Sequence, residues 1–320
     1  MKLLVTGGAG FIGINFIKYM KRVYPDYRIV CYDLLTYAAN TQCLTELEDS
    51  VGFRFVRGDI RDREAIYSLF AEEVFDAVIN FAAESHVDRS IENPDLFIST
   101  NVLGTGVLLD ACLKYGKIRF HQISTDEVYG DLPLESSRTF NETDRLLPSS
   151  PYSASKASAD LLVLSYGRTF GLPVTISRSS NNYGPFQHSE KLIPTVIRKA
   201  LADERIPVYG DGRNLRDWLH VDDHCKAIDL ILHNGTIGEI YNVASEKEQS
   251  NLELVSALLS LVGKDASLIS FVKDRPGHDL RYPIDCSKIK AELGWRAEKS
   301  FSEGLREAVA FYSKKYGGAE

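Results

Sequence analysis

Cysteine, methionine and tryptophan are scarce in this chain of 320 residues, which contains five, two and two of them. The cysteines lie far apart, at positions 31, 43, 112, 225 and 286, and no two of them form a C-x-x-C pair. An odd number of scattered thiols argues against a disulfide framework and against a cysteine zinc site. We therefore expect free thiols in a reducing compartment, the cytoplasm.

The sequence also lacks long apolar runs and an excess of positive charge. Leu3, Leu4 and Val5 make too short a run for the apolar core of a signal peptide, and no stretch is expected to reach the roughly 18 apolar residues of a membrane span. The net charge is −7, without a basic stripe that includes aromatic residues. These absences predict a protein that binds neither membranes nor nucleic acid.

Strand and helix patterns alternate over residues 1–180. This rhythm is typical of an α/β protein with a doubly wound parallel sheet, the Rossmann architecture. The candidate helices of this region are 61–74, 94–115 and 150–170. Turn-rich, irregular segments begin near residue 181, so we predict a smaller C-terminal α/β lobe that binds substrate.

The predicted domain boundaries follow from this change of character. Residues 1–180 form the first domain, and residues 181–214 and 246–320 form the substrate-binding lobe. The intervening residues 215–245 contain a further helix pattern and a further strand pattern. We expect them to return to the first domain.

A glycine-rich turn joins the first strand to the first helix. The apolar run 2–6 is typical of a buried parallel strand, and Gly7, Gly10 and Gly13 follow it before a helical pattern begins. Glycines here permit a tight turn and close approach to a pyrophosphate, whose charge the helix N-terminus binds. The spacing G-x-x-G-x-x-G is that of the short-chain dehydrogenase variant of the fold.

An acidic residue follows the second strand. Asp33 lies twenty residues after Gly13, where a carboxylate bonds the ribose hydroxyls of adenosine. It would repel the 2′-phosphate of NADP, so we predict NAD as the cofactor. The other candidate cofactor contacts are Phe11, Ile12, Leu34, Leu35, Thr36, Asp59, Ile60, Phe81, Ala82, Ala83 and Thr100.

Tyr152 and Lys156 are the first catalytic candidates. On the predicted helix 150–170, side chains four positions apart share one face. An ammonium group there would lower the pKa of the phenol by favouring phenolate, so Tyr152 would accept a hydroxyl proton near neutral pH. Removal of a hydride from a sugar carbon needs this assistance.

Thr125, Asp126 and Glu127 follow a predicted strand at 120–124 and supply a second acid and a second base. When a sugar hydroxyl has been oxidised to a ketone, one carboxylate can remove the neighbouring C–H proton while a neutral carboxylic acid protonates a departing hydroxyl. Adjacent like charges in a dry pocket raise one pKa and so provide both protonation states. Because neighbours on a strand point to opposite faces, both residues must lie where the chain leaves the strand.

Two basic loops in the second lobe are candidates for binding a diphosphate. The segment 209–220 carries Arg216, and the segment 274–278 carries Arg275. The planar guanidinium group suits a pyrophosphate because it donates paired hydrogen bonds. We interpret the two loops as a clamp opposite the cofactor.

His220 and His224 have the spacing of metal ligands. No third ligand is evident in the sequence. Asp222 and Asp223, which lie between the histidines, fit a helix N-terminus equally well. We therefore predict no metal site.

These motifs together resemble the extended short-chain dehydrogenases and, more narrowly, the dTDP-glucose 4,6-dehydratases among them. The matching segments cover essentially the whole chain: 6–13, 83–90, 125–130, 152–156, 180–185, 190–194, 209–212, 216–219 and 274–279. The Thr-Asp-Glu triplet is the specific element, because related 4-epimerases and decarboxylases usually lack the Asp-Glu pair. Ala39, Phe186 and His188 depart from the usual pattern.

The resemblance implies a cycle without net oxidation that yields a 4-keto-6-deoxy sugar nucleotide. Tyr152, aided by Lys156 and Thr125, would take the C4 hydroxyl proton as NAD receives the C4 hydride. Glu127 would remove the C5 proton and Asp126 would protonate the C6 hydroxyl, which leaves as water. The hydride would then return to C6.

The resemblance also implies contacts with the nucleotide sugar, with Asn182 beside the nicotinamide, and a homodimer formed through the helices 94–115 and 150–170. The implied substrate contacts are Ser85, Asn181, Lys191, Leu192, Pro207, Tyr209, Arg216, Asn251 and His278. The sequence leaves open whether the nucleotide is dTDP, UDP or CDP, and whether the product feeds rhamnose or another deoxysugar. The alternatives are a UDP-sugar 4-epimerase or UDP-glucuronate decarboxylase, and a non-catalytic dinucleotide sensor.

Overall fold

In the computed structural model, which describes residues 1–317, twelve strands form three sheets. The strands are β1 (Lys2–Thr6), β2 (Arg28–Asp33), β3 (Phe53–Arg57), β4 (Ala77–Asn80), β5 (Arg119–Thr125), β6 (Val174–Ser179), β7 (Asn181–Tyr183), β8 (Ile206–Tyr209), β9 (Leu215–His220), β10 (Ile240–Val243), β11 (Glu248–Ser250) and β12 (Ile269–Val272). The large sheet has the order β3-β2-β1-β4-β5-β6-β10, and every neighbouring pair in it is parallel. The predicted doubly wound α/β fold is confirmed.

Helices cover both faces of this sheet. The helices are α1 (Phe11–Val23), α2 (Thr41–Glu48), α3 (Arg63–Glu72), α4 (Val87–Glu92), α5 (Pro94–Phe97), α6 (Thr105–Lys114), α7 (Pro151–Phe170), α8 (Leu192–Leu201), α9 (Val221–Asn234), α10 (Asn251–Val262), α11 (Ser287–Leu293) and α12 (Phe301–Gly317). A π-helical stretch, Ile98–Gly104, joins α5 to α6.

Alternating side chains of β1 anchor the two helical layers. Leu4 belongs to the apolar cluster that contains residues of α3, α6 and α7. Leu3 and Val5 belong to the cluster that contains residues of α1, α2 and α9. All three are fully buried, because successive strand residues point to opposite faces and helices cover both.

The second lobe contains two small sheets, β11-β9-β7 and β12-β8. Helices α8, α10 and α12 pack against each other and enclose a separate apolar cluster. Within the predicted returning segment 215–245, β10 pairs with β6 and α9 packs against α1. Strand β9 does not follow this prediction, because it pairs with β7 and β11 in the second lobe.

The segment Pro94–Lys114 is long and apolar enough to cross a membrane by length and mean hydropathy, which reaches 1.6. The expectation that no stretch of the chain reaches this threshold is therefore wrong. Half of the apolar window is buried inside the protein, and α6 packs against α3 and α7. The core helix of a globular domain satisfies the same criterion, so composition alone does not separate the two.

Candidate active site

An open cleft of about 780 Å³ lies between the carboxyl ends of the sheet strands and the second lobe. This is the position where doubly wound sheets bind their ligands, at the point where the strand order reverses between β1 and β4. The predicted site residues that line it are Gly7, Gly10, Phe11, Ile12, Gly13, Asp33, Leu34, Thr36, Asp59, Ile60, Phe81, Ala82, Ala83, Ser85, Thr100, Thr125, Asp126, Glu127, Tyr152, Lys156, Asn181, Asn182, Lys191, Leu192, Pro207, Tyr209, Arg216, Asn251, Arg275 and His278. Leu35 is the predicted residue that does not line the cleft.

The turn after β1 leaves no room for side chains at two positions. Gly7 has a φ of +67°, and a Cβ atom there would lie 2.5 Å from the backbone nitrogen of Ala82. A Cβ atom on Gly13 would lie 2.5 Å from the carbonyl oxygen of Gly7. The close approach keeps the N-terminus of α1 open to the cleft, as a bound pyrophosphate requires.

Asp33 is fixed at the end of β2 by two backbone donors. The amide of Ala9 donates to Oδ2 at 3.0 Å, and the amide of Leu35 donates to Oδ1 at 2.8 Å. Burial raises the pKa of Asp33, and these two hydrogen bonds oppose that effect. Leu35 thus contributes through its amide, while its side chain packs against the core beneath α1, which corrects its predicted position at the cofactor.

Asp59 has a partner that the sequence did not indicate. The guanidinium group of Arg61 contacts its carboxylate at 2.6 Å. Burial raises the pKa of Asp59, but the hydrogen bonds from Arg61 outweigh it and the net shift is downward. Asp59 therefore lies in the cleft as a charged group, which suits its predicted role as a contact of the cofactor.

The loop after β4 is held by Asn101, a fully buried residue of the π-helical stretch. Its Oδ1 accepts from the amide of Glu84 at 2.8 Å, and its Nδ2 donates to the Glu84 carbonyl at 3.0 Å and to Ser155 Oγ at 2.8 Å. Asn101 therefore couples this loop to α7. Thr100, the neighbouring residue, faces the cleft.

Helix α7 begins immediately before the two catalytic candidates. Ser150 caps it with a reciprocal capping box to Ser153, and proline occupies the first helical position. This start places Tyr152 and Lys156 on the same helical face, at the cleft. The spacing argument from the sequence is therefore confirmed in the geometry.

The sequence predicted that Lys156 lowers the pKa of Tyr152. This prediction is wrong, because the pKa of Tyr152 is raised. Burial, followed by the charge of Glu127, raises the pKa of Tyr152, and a hydrogen bond with Thr125 only partly offsets this. Lys156 Nζ donates to the carbonyl oxygen of Ile123 at 2.6 Å. Burial lowers the pKa of Lys156 to about 8, because the ammonium form loses its hydration.

Asp126 and Glu127 lie where the chain leaves β5, as predicted. A 3₁₀ helix, Asp126–Tyr129, follows the strand directly and allows both side chains to face the cleft. Thr125 Oγ1 donates to Asp126 Oδ1 at 3.2 Å and accepts from the amide of Glu127 at 3.3 Å. The other carboxyl oxygen of Asp126, Oδ2, is buried and has no hydrogen-bond partner among the described residues.

The two carboxyl groups differ in their surroundings. Burial raises the pKa of Asp126 well above its usual range, and the charges of Glu127 and Asp217 raise it further. Burial and Asp279 also raise the pKa of Glu127, but the guanidinium group of Arg216 opposes this. Asp126 is therefore the member of the pair that keeps its proton to higher pH, while Arg216 favours the ionised form of Glu127.

Cationic side chains of the second lobe face these carboxyl groups. Arg216 donates from Nη2 to the carbonyl oxygen of Asp279 at 2.7 Å, and its Cζ lies 4.4 Å from the ring centre of Tyr282. Arg275 pairs with Asp88 at 3.1 Å, while its Nε is buried without a partner in the described part of the chain. Arg216 donates to backbone carbonyl oxygens, acts on Glu127 by its charge and lines the cleft, where a guanidinium group suits a diphosphate.

A model of the GDP-mannose 4,6 dehydratase family matches residues 4–308. The low-salt glycan biosynthesis protein Agl12 of Haloferax volcanii is 52% identical over 98% of both chains. The dTDP-glucose 4,6-dehydratase of Mycobacterium tuberculosis is 49% identical over 98% of this chain and 93% of its own. The dTDP-glucose 4,6-dehydratase DesIV of Streptomyces venezuelae, in a crystal structure with NAD bound, superposes with a TM-score of 0.94 at 46% identity over 99% of this chain and 98% of that one.

The chain belongs to the dTDP-glucose 4,6-dehydratase family. The family predicted from the motifs is therefore confirmed. The match extends through both lobes, so it includes the carboxyl pair and the cationic clamp as well as the cofactor half.

Tyr282 is a residue of this dehydratase site that the sequence argument missed. It is buried in the cleft wall, stacks under Arg216, and donates from its hydroxyl to Asn181 Oδ1 at 3.2 Å. No local pattern marks a single tyrosine as a site residue. Only the folded arrangement brings it within reach of Asn181, which lies 101 positions earlier.

The two histidines considered as metal ligands have separate partners. His224 Nδ1 lies 2.9 Å from Asn182 Oδ1, and burial lowers the pKa of His224 to about 3. His224 is therefore neutral, and its ring orients the side chain of Asn182. His220 lies near Asp222 and Glu307, and the sequence did not reveal this third group. Lys299 already contacts both of these carboxylates, at 3.2 and 2.5 Å.

Proposed function

We propose that the protein converts dTDP-glucose into dTDP-4-keto-6-deoxyglucose, using an NAD molecule that is reduced and reoxidised within each turnover. The observation that carries the proposal is the pair Asp126 and Glu127 in the same cleft as Tyr152, with the pKa of Asp126 raised well above its usual range and that of Glu127 held back by Arg216. A simple dehydrogenase needs the tyrosine alone. A dehydratase needs the additional acid and base.

The cofactor half of the cleft fits NAD. Gly7 and Gly13 have no space for a Cβ atom, so backbone and helix N-terminus remain accessible to a diphosphate. The carboxylate of Asp33 is held by two amides with its face to the cleft, where it favours ribose hydroxyls and repels a 2′-phosphate. When bound by these residues, NAD would supply reversible hydride transfer to the sugar, and the positive charge of its oxidised nicotinamide would favour a nearby phenolate.

Tyr152 accepts the proton of the C4 hydroxyl. Its raised pKa makes the phenolate costly in the ligand-free cleft, so the residues around it must favour ionisation during the reaction. The hydrogen bond with Thr125 acts in this direction, and a protonated Lys156 that approaches the phenol during the reaction would act in the same direction. Lys156 is held beside the site by the carbonyl oxygen of Ile123.

Glu127 and Asp126 then carry out the elimination. Once C4 is a ketone, the C5 proton is acidic and Glu127 removes it as a carboxylate. Asp126 donates its proton to the C6 hydroxyl, and water leaves. Each positioned acid or base contributes roughly 10²- to 10⁴-fold to the rate. After the hydride has reached C6, Glu127 returns a proton to C5.

The second lobe holds the nucleotide part of the substrate. Arg216 and Arg275 bind the diphosphate, and His278, whose Nδ1 lies 2.6 Å from Asp274, stands at the edge of the Tyr209 ring. The relatives named dTDP-glucose 4,6-dehydratase support thymine as the preferred base of the substrate. Incubation with dTDP-, UDP- and CDP-glucose, followed by mass spectrometry, tests this preference. We expect dTDP-glucose to lose one water faster than the other two substrates.

The alternative of a 4-epimerase or decarboxylase would leave Asp126 and Glu127 without a role. Oδ2 of Asp126, which has no hydrogen-bond partner among residues 1–317, is free to contact a substrate oxygen. Conversion of a nucleoside-diphosphate glucose into its 4-epimer, without loss of water, would favour this alternative. A non-catalytic dinucleotide sensor would convert none of the substrates.

We also propose that the protein is a homodimer through the segments 94–115 and 150–170, which contain the π-helical stretch and α7. Ile98, Leu103 and Leu161 are more than half exposed on this surface. The double variant Leu103→Asp and Leu161→Asp should be monomeric in light scattering. Val51→Asp, which changes an exposed residue between α2 and β3, should leave the dimer intact. A monomeric wild-type protein would contradict the proposal.

A cytoplasmic location belongs to the same proposal. All five cysteines are free and buried, which suits a reducing compartment. Fractionation of cells that produce the protein should recover it in the cytoplasmic fraction, whereas recovery with membranes would contradict both this location and the absence of a membrane partner.

A further inference from the structure

A buried ion pair lies behind the catalytic residues. Arg178 on β6 is the largest fully buried side chain among the described residues, with 2% of it exposed, and Asp160 on α7 is completely buried. Arg178 Nε donates to Asp160 Oδ2 at 2.9 Å, while Oδ1 of Asp160 has no hydrogen-bond partner in the described part of the chain. A buried ion pair is costly to desolvate and contributes little to stability, so stability alone does not account for it.

Asp160 lies one helical turn after Lys156. Side chains at this spacing share a face of α7, so the carboxylate stands on the inner side of the catalytic ammonium group. Burial lowers the pKa of Lys156, and Asp160 is the charged group that opposes this effect. The half-satisfied carboxylate thus favours the protonated form of Lys156.

The other end of the ion pair reaches the carboxyl-bearing turn. Arg178 Nη1 donates to the hydroxyl of Tyr129 at 2.9 Å, and Tyr129 donates to Asn242 Oδ1 of β10 at 2.8 Å. Tyr129 is the last residue of the 3₁₀ helix that begins with Asp126. One buried chain of contacts therefore joins helix α7 to the turn that holds the acid and the base.

None of these residues lines the cleft, so they do not touch substrate or cofactor. We propose that Asp160, Arg178 and Tyr129 are positioning residues that couple the Tyr152–Lys156 pair to the Asp126–Glu127 turn. Asp160 supports the charge of Lys156 for the oxidation step. Tyr129 fixes the turn for the elimination step. The inference rests on the proposed dehydratase function and assigns each positioning residue to one of its two halves.

Tyr129→Phe removes one hydroxyl group and tests the second assignment. The matched control is Tyr241→Phe, which removes another buried hydroxyl from the adjacent strand β10, where it contacts Glu292. Single-turnover absorbance of reduced nicotinamide reports oxidation, and deuterium uptake at C5 reports elimination. We expect Tyr129→Phe to slow elimination roughly 10- to 100-fold, as a displacement of catalytic groups does, with oxidation within about threefold of wild type. Tyr241→Phe should leave both steps unchanged.

Asp160→Asn tests the first assignment through the pH profile of oxidation. Asp160 is the charged group that acts on Lys156, and the titratable groups Tyr152, Asp126 and Glu127 line the same cleft. Loss of the carboxylate should make Lys156 lose its proton at lower pH, so the alkaline limb of the profile should move to lower pH while elimination retains its own profile. A merely structural role would lower the rate at every pH equally.

Equal effects of Tyr129→Phe and Tyr241→Phe on both steps would overturn the coupling, as would an unshifted profile in Asp160→Asn. If Asp160→Asn does not fold, the comparison of the two tyrosine variants decides alone. A wild-type protein that shows neither oxidation nor elimination would instead contradict the proposed function.

Discussion

Thr125 donates a hydrogen bond to one carboxyl oxygen of Asp126, at 3.2 Å, and leaves the other oxygen buried without a partner in the described part of the chain. A carboxylate in this position would carry an unsolvated charge, so the neutral acid is favoured. The same threonine accepts from the amide of Glu127 and shapes the turn that holds both groups. This local arrangement separates the roles of acid and base.

Replacement of Asp126 by Asn should separate oxidation from dehydration. The amide has nearly the same shape but no acidic proton, so the C6 hydroxyl leaves without protonation. We expect a loss of about 10²- to 10⁴-fold in product formation, while NAD is still reduced on addition of substrate. Absorbance of reduced nicotinamide and chromatography of the product measure the two steps. Asp95→Asn, at an exposed position of α5, serves as control. Equal loss of both steps would exclude an acid role for Asp126.

Glu127→Gln should stop proton removal from C5. A carboxamide cannot accept this proton, so incorporation of deuterium from D₂O into C5 should fall about 10²-fold or more. NMR of the sugar measures this exchange. Glu135→Gln changes an exposed carboxylate of the loop that follows, and it should exchange at the wild-type rate. Unchanged labelling in Glu127→Gln would exclude it as the base.

The oxidation step should decline as pH rises through about 8, where Lys156 loses its proton. Below this pH the ammonium form favours phenolate at Tyr152, and above it this support is lost. Lys156→Arg should move the decline to higher pH, because a guanidinium group stays protonated. Stopped-flow absorbance at a series of pH values measures the effect. A decline at the same pH in both proteins would assign it to another group.

Asp33→Ser should weaken NAD binding and reduce its preference over NADP. The variant loses the carboxylate that is aimed at the ribose hydroxyls and the repulsion of a 2′-phosphate. Hydrogen bonds to a charged group are worth about 1.5–3 kcal/mol, so we expect the dissociation constant for NAD to rise roughly 10- to 100-fold. Calorimetry with both dinucleotides measures the change, and Asp26→Ser, in the exposed turn before β2, is the control. An unaltered ratio of the two affinities would remove Asp33 as the selective group.

Much of the cofactor half could be predicted because its signals are local. Gly7 and Gly13 bracket a single turn, and Asp33 follows the next strand, so spacing along the chain determines where these residues lie. Tyr152 and Lys156 were predictable for the same reason, since one helix fixes their relation. Leu35 was misplaced because its side chain packs against the apolar cluster that contains residues of α1, and so it does not line the cleft.

The rest depends on contacts between distant segments. His224 orients Asn182 across 42 positions, and the charge of Asp217 acts on Asp126 from a different strand. The pKa of Tyr152 was predicted with the wrong sign, because burial outweighs the influence of a single neighbouring lysine. The segment 215–245 was expected to return to the first domain, but its first strand, β9, pairs with β7, which follows β6 after one residue.

The most direct test is turnover of dTDP-glucose by the wild-type protein in D₂O, followed by mass spectrometry of the sugar and by absorbance of reduced nicotinamide. Our account predicts a product that has lost one water and gained one deuterium at C5, with no reduced nicotinamide left at the end. A hexose of unchanged mass, or reduced nicotinamide that accumulates with turnover, would contradict it.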